Sequence, residues 1–276
     1  MWIINSLLAA LFSGLTTFFA KIGLKKEDST FIAGIRTIII FIFSIIIYFI
    51  FENKNNLTIK NLIYIFLSGV STTILWIVYF KALSLQNVSL VTPIDKLSII
   101  MTLILSTLIF KEDISIIKIV SMILIIIGAF LMINKKDNNS DKKWIIYAFL
   151  TALFTSISSI LAKIGLKDIN PYLATLFRTF IVLIIIWIII IYRKKCKKVD
   201  KYTLKYVILS GICTSLSWIF YFKALKNGIV SIVFSLEKLS AAICVLLSII
   251  FLKERLTKKG IFGFILLIVG TILLIL

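Results

Sequence analysis

Apolar runs of about twenty residues, the length a helix needs to cross a bilayer core, follow one another along the whole chain, parted only by short polar stretches. Their approximate spans are 2–22, 31–51, 61–83, 88–110, 115–133, 144–164, 172–192, 203–225, 230–252 and 258–276. A membrane β-barrel alternates apolar and polar residues along each strand, whereas "SIIIYFI" and "IVLIIIWIIII" do not alternate. The pattern predicts an all-α integral membrane protein of ten transmembrane helices. The longest connections, Asn134 to Lys143 and Arg193 to Tyr202, are charged and too short for a soluble domain. The first run lacks a basic leader and a convincing small-residue cleavage site, so it is expected to be a retained helix rather than a signal peptide.

The pattern also repeats. "FAKIGLK" at 19–25 returns as "LAKIGLK" at 161–167, "LWIVYFKAL" at 75–83 as "SWIFYFKAL" at 217–225, and "IDKLS" at 94–98 as "LEKLS" at 236–240. Each recurrence is displaced by 142 residues, the signature of a duplicated unit. The expected division is a five-helix repeat over 1–133, a polar charged linker over 134–143 and a second five-helix repeat over 144–276. Five spans is an odd number, so the second repeat must enter the membrane in the opposite orientation. Inverted repeats of this kind place a substrate site near the midplane between the halves.

Seventeen Lys and Arg residues fall in the odd-numbered loops and six in the even-numbered ones. Basic residues in short loops accumulate on the cytoplasmic side, so both termini are expected outside a cytoplasmic membrane, although the bias comes mainly from the linker and second repeat. Eight basic residues remain within the spans: Lys21, Arg36, Lys81 and Lys96, and their counterparts Lys163, Arg178, Lys223 and Lys238. The acids clearly within spans are Asp95 and Glu237, themselves a pair. Such charges normally face a partner or a water-filled cavity.

The lysines near helix ends, Lys21, Lys163, Lys81 and Lys223, can instead snorkel to the interface. Arg36 and Arg178 stand two turns inside their helices, as do Asp95–Lys96 and Glu237–Lys238. Thr92, Asp95, Ser98, Thr102 and Ser106 advance by three or four residues and share one helical face, as do Glu237, Ser240, Cys244 and Ser248. Trp76, Tyr79 and Phe80, with Trp218, Tyr221 and Phe222, precede Lys81 and Lys223. An interfacial aromatic belt is the commoner reason for such rings; a wall for an amphipathic solute beside a cation is the alternative. The small and hydroxyl residues Ser6, Ala10, Ser13 and Thr17, matched by Ala148, Ala152, Thr155 and Ser159, suit close helix packing.

Composition narrows the function. The chain is 61% apolar with a mean hydropathy of +1.11, so its net charge of +19 belongs to membrane-surface loops rather than to a nucleic-acid interface. No histidine is present, and Cys196, Cys213 and Cys244 have neither disulfide nor metal spacing. No enzyme chemistry, metal or cofactor is expected, and no Walker A pattern supports coupling to ATP.

"PIDKLSIIMTLILSTLIFKED" and "SLEKLSAAICVLLSIIFLKER", each closing the fourth span of its repeat, resemble the EamA family of the drug/metabolite transporter superfamily, over nearly the whole chain. Glu112 and Glu254 look like the family's Gly-Glu element, and Gly128 and Gly270 match its fifth-helix glycine. Lys111 and Lys253 stand where that family usually has glycine. The "DKLS" and "EKLS" elements look more like a subgroup with single-repeat members of about 140 residues. The resemblance implies a central cavity formed by the first four helices of each repeat, peripheral fifth helices, and movement of small metabolites or drugs across the cytoplasmic membrane, often as export. Some family members have cytoplasmic termini, against the loop count.

The expected function is therefore a secondary transporter working by alternating access in the lipid bilayer, with a small organic solute as its partner. Interior bases outnumber interior acids, which favours an anionic or carboxylate-bearing solute. Asp95 and Glu237 are the candidates to carry a coupling proton or to neutralise the lysines. The expected substrate pathway comprises Arg36, Trp76, Tyr79, Lys81, Asp95, Lys96 and Ser98, and Arg178, Trp218, Tyr221, Lys223, Glu237, Lys238 and Ser240. A non-transporting membrane partner that docks through its helical faces is the alternative.

Overall fold

The structure, a computed structural model, describes residues 1–23, 28–51, 58–95, 97–111, 115–132, 143–167, 169–194, 199–253 and 256–273, without the side chains of Ser89, Pro93, Ser231, Ser235 and Lys238. Twelve helices are formed by the described residues. In the first half of the chain they are α1 (Trp2–Gly23), α2 (Ser29–Ile50), α3 (Ile59–Leu85), α4 (Val88–Asp95), α5 (Ser98–Phe110) and α6 (Ile116–Met132). The second half has α7 (Lys143–Gly165), α8 (Pro171–Tyr192), α9 (Lys201–Asn227), α10 (Val230–Lys238), α11 (Ser240–Leu252) and α12 (Lys258–Leu273). Six of them, α1 to α3 and α7 to α9, are long and apolar enough to cross a membrane.

Local chemistry repeats with the sequence. Asp28 caps α2 by accepting from the backbone N–H groups of Thr30 and Phe31, and Asn170, 142 residues later, caps α8 by accepting from Tyr172. Pro171 occupies the first helical position, where its missing N–H removes no intrahelical bond.

The expected single helices over 88–110 and 230–252 are each interrupted. In the first, Leu97 N–H bonds the Ile94 carbonyl and Ile100 N–H bonds that of Leu97; in the second, Leu239 bonds Leu236 and Ala242 bonds Leu239. These i to i+3 bonds tighten the chain into a 3₁₀ turn. The turn divides each expected helix in two, α4 from α5 and α10 from α11.

Close approaches define how the halves join. Along α1 and α9, Ser210 donates to the Thr16 carbonyl and Ser217 to that of Ala9, so the two helices run antiparallel. On the other side Ser68 of α3 donates to the Ser158 carbonyl of α7, the counterpart of the Ser210 bond. Equivalent helices also meet antiparallel. Phe51, the residue after α2, stacks on Tyr172 of α8 while Trp187 donates to the Gly34 carbonyl at the other end. Between α6 and α12, Gly128 lies against the Gly263 carbonyl and Gly270 against that of Ser121; a Cβ at Gly128 would stand 2.6 Å from the Gly263 oxygen. Small residues bring these backbones together where apolar driving force is weak inside lipid. Aliphatic and aromatic side chains such as Ile42, Ile46, Ile123, Phe130 and Ile188 point outward around the bundle, as lipid contact requires.

Candidate solute cavity

A cavity of about 150 Å³ lies where the two halves meet, lined from α1 to α4 and from α7 to α11. Its walls carry Arg36, Trp76, Tyr79 and Asp95 together with their counterparts Arg178, Trp218, Tyr221 and Glu237, and also Ser240. The rings of Trp76 and Trp218 touch, with centroids 5.1 Å apart. Two residues related by the repeat can meet only near the axis relating the halves, so this pair marks the centre of the interface.

Each arginine is held from two directions. The Arg36 guanidinium lies 4.1 Å from the centre of the Trp76 ring and 4.5 Å from that of Phe80, both on α3 of its own half. It also donates to Ser210 of α9 at 3.3 Å. Arg178 lies over Trp218 and Phe222 at 4.5 and 5.1 Å and donates through Nε to Thr72 Oγ1 of α3 at 3.0 Å. The backbone beneath is fixed by Gly211, which packs against α2 beside the Arg36 carbonyl, and by Gly69, which packs against α8 beside that of Arg178. A guanidinium is weakly hydrated and stacks well on aromatic faces. Trp76 and Trp218 therefore serve as cavity wall and cation seat together, between the two halves of the bundle.

Other expected site residues are placed differently. Lys81 is exposed and off the cavity. Lys223 also lies off it, 4.9 Å from the Tyr172 ring and 5.5 Å from that of Phe51. Ser98 is fully buried without reaching the lining, covered by α7, whose Ser156 donates to its carbonyl. Lys96, the Lys238 side chain, Glu112, Glu254 and Cys196 lie outside the described residues. Lys21 donates to the carbonyls of Leu83 and Gln86 at 2.7 Å, capping the C-terminus of α3, and Lys163 donates to those of Leu225 and Gly228 at the end of α9. These ammonium groups satisfy helix-end carbonyls instead of snorkelling.

Hydroxyls that the sequence pattern left unassigned or attributed to packing complete the wall: Ser13, Thr16 and Thr17 on α1, and their counterparts Thr155, Ser158 and Ser159 on α7. Thr16 meets Thr214 at 3.3 Å, and Tyr79 donates to Thr17 at 3.1 Å. Superposing the two halves of the sequence at the 142-residue offset would have flagged them as mirrored polar positions in otherwise apolar helices.

The EamA-like transporter family matches residues 1–134 and again residues 142–276. A transporter from a Sinorhizobium species, described as uncharacterized and located in the cobO 3′ region, is 33% identical over 137 residues, which cover 49% of this chain and 97% of that protein. An uncharacterized protein of Methanocaldococcus jannaschii is 35% identical over 130 residues, 47% of this chain and 94% of its own length. About half of this chain thus corresponds to nearly the whole of each relative. One crystal structure aligns with 99% of this chain and 95% of its own at a TM-score of 0.76 and 12% identity, a likeness of fold.

Proposed function

The chain belongs to the EamA-like transporter family, and from that premise we propose that it is a secondary transporter of a small organic solute, working by alternating access in the cytoplasmic membrane. It is a multi-pass membrane protein of a transporter family; the ten-span count, the inverted repeats over 1–133 and 144–276 and their linker belong to the proposal. The observation that carries it is the cavity between the halves, to which each half contributes an arginine on a tryptophan, a tyrosine and a carboxylate.

The lining suggests the solute. A cavity of about 150 Å³ holds on the order of ten water-sized positions, which suits an amino-acid-sized or small organic-acid-sized molecule. Two guanidiniums fit a carboxylate, whose two oxygens accept from one planar donor group, and the surrounding hydroxyls fit further polar atoms. Asp95 and Glu237 stand in the same lining, where they balance the arginines when the cavity holds no solute or take up a coupling proton during the cycle. The basic odd-numbered loops support termini on the outer face, and outward movement of the solute is the proposed direction.

The test is uptake into liposomes holding the purified protein, screened with amino acids, organic acids, sugars and amphipathic cations. Saturable flux of a carboxylate-bearing class, lost in Arg36→Ala and Arg178→Ala, is the expected result. Absence of flux for every class from well-folded protein in both orientations would overturn transport and favour docking to another membrane protein. Asp95→Asn, Glu237→Gln and their combination separate the carboxylate roles: flux unchanged in all of them would remove both.

A further inference from the structure

The cavity is asymmetric although the sequence that builds it repeats. Nine lining residues of the first half have lining counterparts 142 positions later, but Thr151, Thr214, Ser240, Ala241 and Cys244 line it from the second half alone. Their counterparts Ala9, Thr72, Ser98, Ile99 and Thr102 are off the cavity, although both sets are buried. Thr151 stands in the N-terminal half of α7, and Cys244 lies beyond the break between α10 and α11. The extra space therefore extends toward the end of the bundle where α7 begins and α11 ends. Thr16, Thr17 and Tyr79, which point the cavity toward that end, are half-buried, whereas Ser158, Ser159 and Tyr221 toward the other end are buried.

The sealed face is polar. Ser98 Oγ and Thr102 Oγ1 have no hydrogen-bond partner among the described residues, and on the cavity wall neither has Thr92 Oγ1. A helical hydroxyl usually satisfies itself on the carbonyl four residues earlier, as Thr107 does on Leu103; buried and unmatched, it asks for an explanation. What seals this face is α7, through a 2.9 Å bond from Ser156 Oγ to the Ser98 carbonyl. The counterpart of Ser156 is Gly14, which approaches the Ser240 carbonyl closely but carries no hydroxyl to bond it. The contact of α5 with α7 is thus pinned where the equivalent contact of α11 with α1 is only packed.

We propose that Ser98 and Thr102 are solute-contacting residues of a second half-site, hidden in this conformation and opened when Ser240 and Cys244 close. The proposal rests on the transport reading and adds to it the identity of the residues that exchange. Two halves related by a repeat can trade arrangements, because all nine lining residues of the first half have lining counterparts in the second. Ser98 and Thr102 then offer hydroxyls to the polar groups of the solute from the face opposite to Ser240, which is why they are left unmatched while the cavity faces the other way.

The test is labelling by a membrane-impermeant thiol reagent in sealed vesicles of each orientation. One protein keeps Cys244 alone by Cys196→Ser and Cys213→Ser; a second adds Cys244→Ser with Thr102→Cys, and a third uses Ser98→Cys in place of Thr102→Cys. Cysteine is already the residue at the position equivalent to Thr102, so that variant is expected to fold. Cys244 should label several-fold faster from the face where α7 begins, and the α5 thiols several-fold faster from the opposite face. Labelling of all from one face, or inertness of Cys244 or of both α5 positions, overturns the proposal. The readout needs no solute. Opposite-face labelling without flux would sink transport and leave the exchange standing, and flux with same-face labelling would do the reverse.

Discussion

Lys21 and Lys163, and Arg36 and Arg178, are two mirrored pairs of cations inside the bundle, and their surroundings give them different work. The lysines reach the last carbonyls of α3 and α9, where a helix end carries partial negative charge and unsatisfied acceptors. The arginines rest on Trp76 and Trp218 and remain part of the cavity wall. An ammonium suits the first setting because its three donors form a compact point charge; a planar guanidinium suits the second because it stacks and still presents donors at its edge. Duplication preserved both pairs, so duplication by itself does not separate a cation that joins helices from one that lines the cavity.

The sharpest way to break this comparison is at the arginines. Arg36→Ala or Arg178→Ala removes a desolvated cation–π seat worth about 2 kcal/mol, and solute flux in liposomes should fall roughly thirtyfold with folding retained. Arg36→Lys should recover only part of it; full recovery would make charge alone sufficient and the stacking incidental. Next in size, Gly128→Ala forces a methyl against the Gly263 carbonyl and should lower stability by about 1–3 kcal/mol in thermal unfolding, with solute selectivity unchanged because α6 and α12 stand off the cavity.

Lys21→Met and Lys163→Met should each lower unfolding stability by about 1 kcal/mol through the uncapped helix end. Loss of flux at unchanged stability would erase the distinction from the arginines. The smallest effect has the opposite sign. Lys111 and Lys253 close α5 and α11 in the left-handed region, both at φ 55°, a conformation that glycine adopts without steric cost. Lys111→Gly and Lys253→Gly should each raise stability by about 1 kcal/mol in the same unfolding measurement.

Much of this architecture is written in one dimension. The helical class follows from apolar runs that do not alternate, and the doubling follows from the 142-residue offset; both depend only on residue order and on the inability of lipid to solvate a bare backbone. The arginines, tryptophans, tyrosines and acids stood out for the same reason, as polar or ringed positions repeated inside apolar helices. Three-dimensional packing decided which of them meet. Packing of α7 covered Ser98 while its counterpart Ser240 stayed on the cavity wall, and the ends of α3 and α9 drew in Lys21 and Lys163. Lys81 and Lys223 fell outside the wall, while hydroxyls on α1 and α7 entered it. Periodicity ranks positions around a single helix, but whether a side chain faces a cavity, a carbonyl or lipid depends on where a second helix crosses, and that crossing is set by glycines and hydroxyls contributed by the other half of the chain.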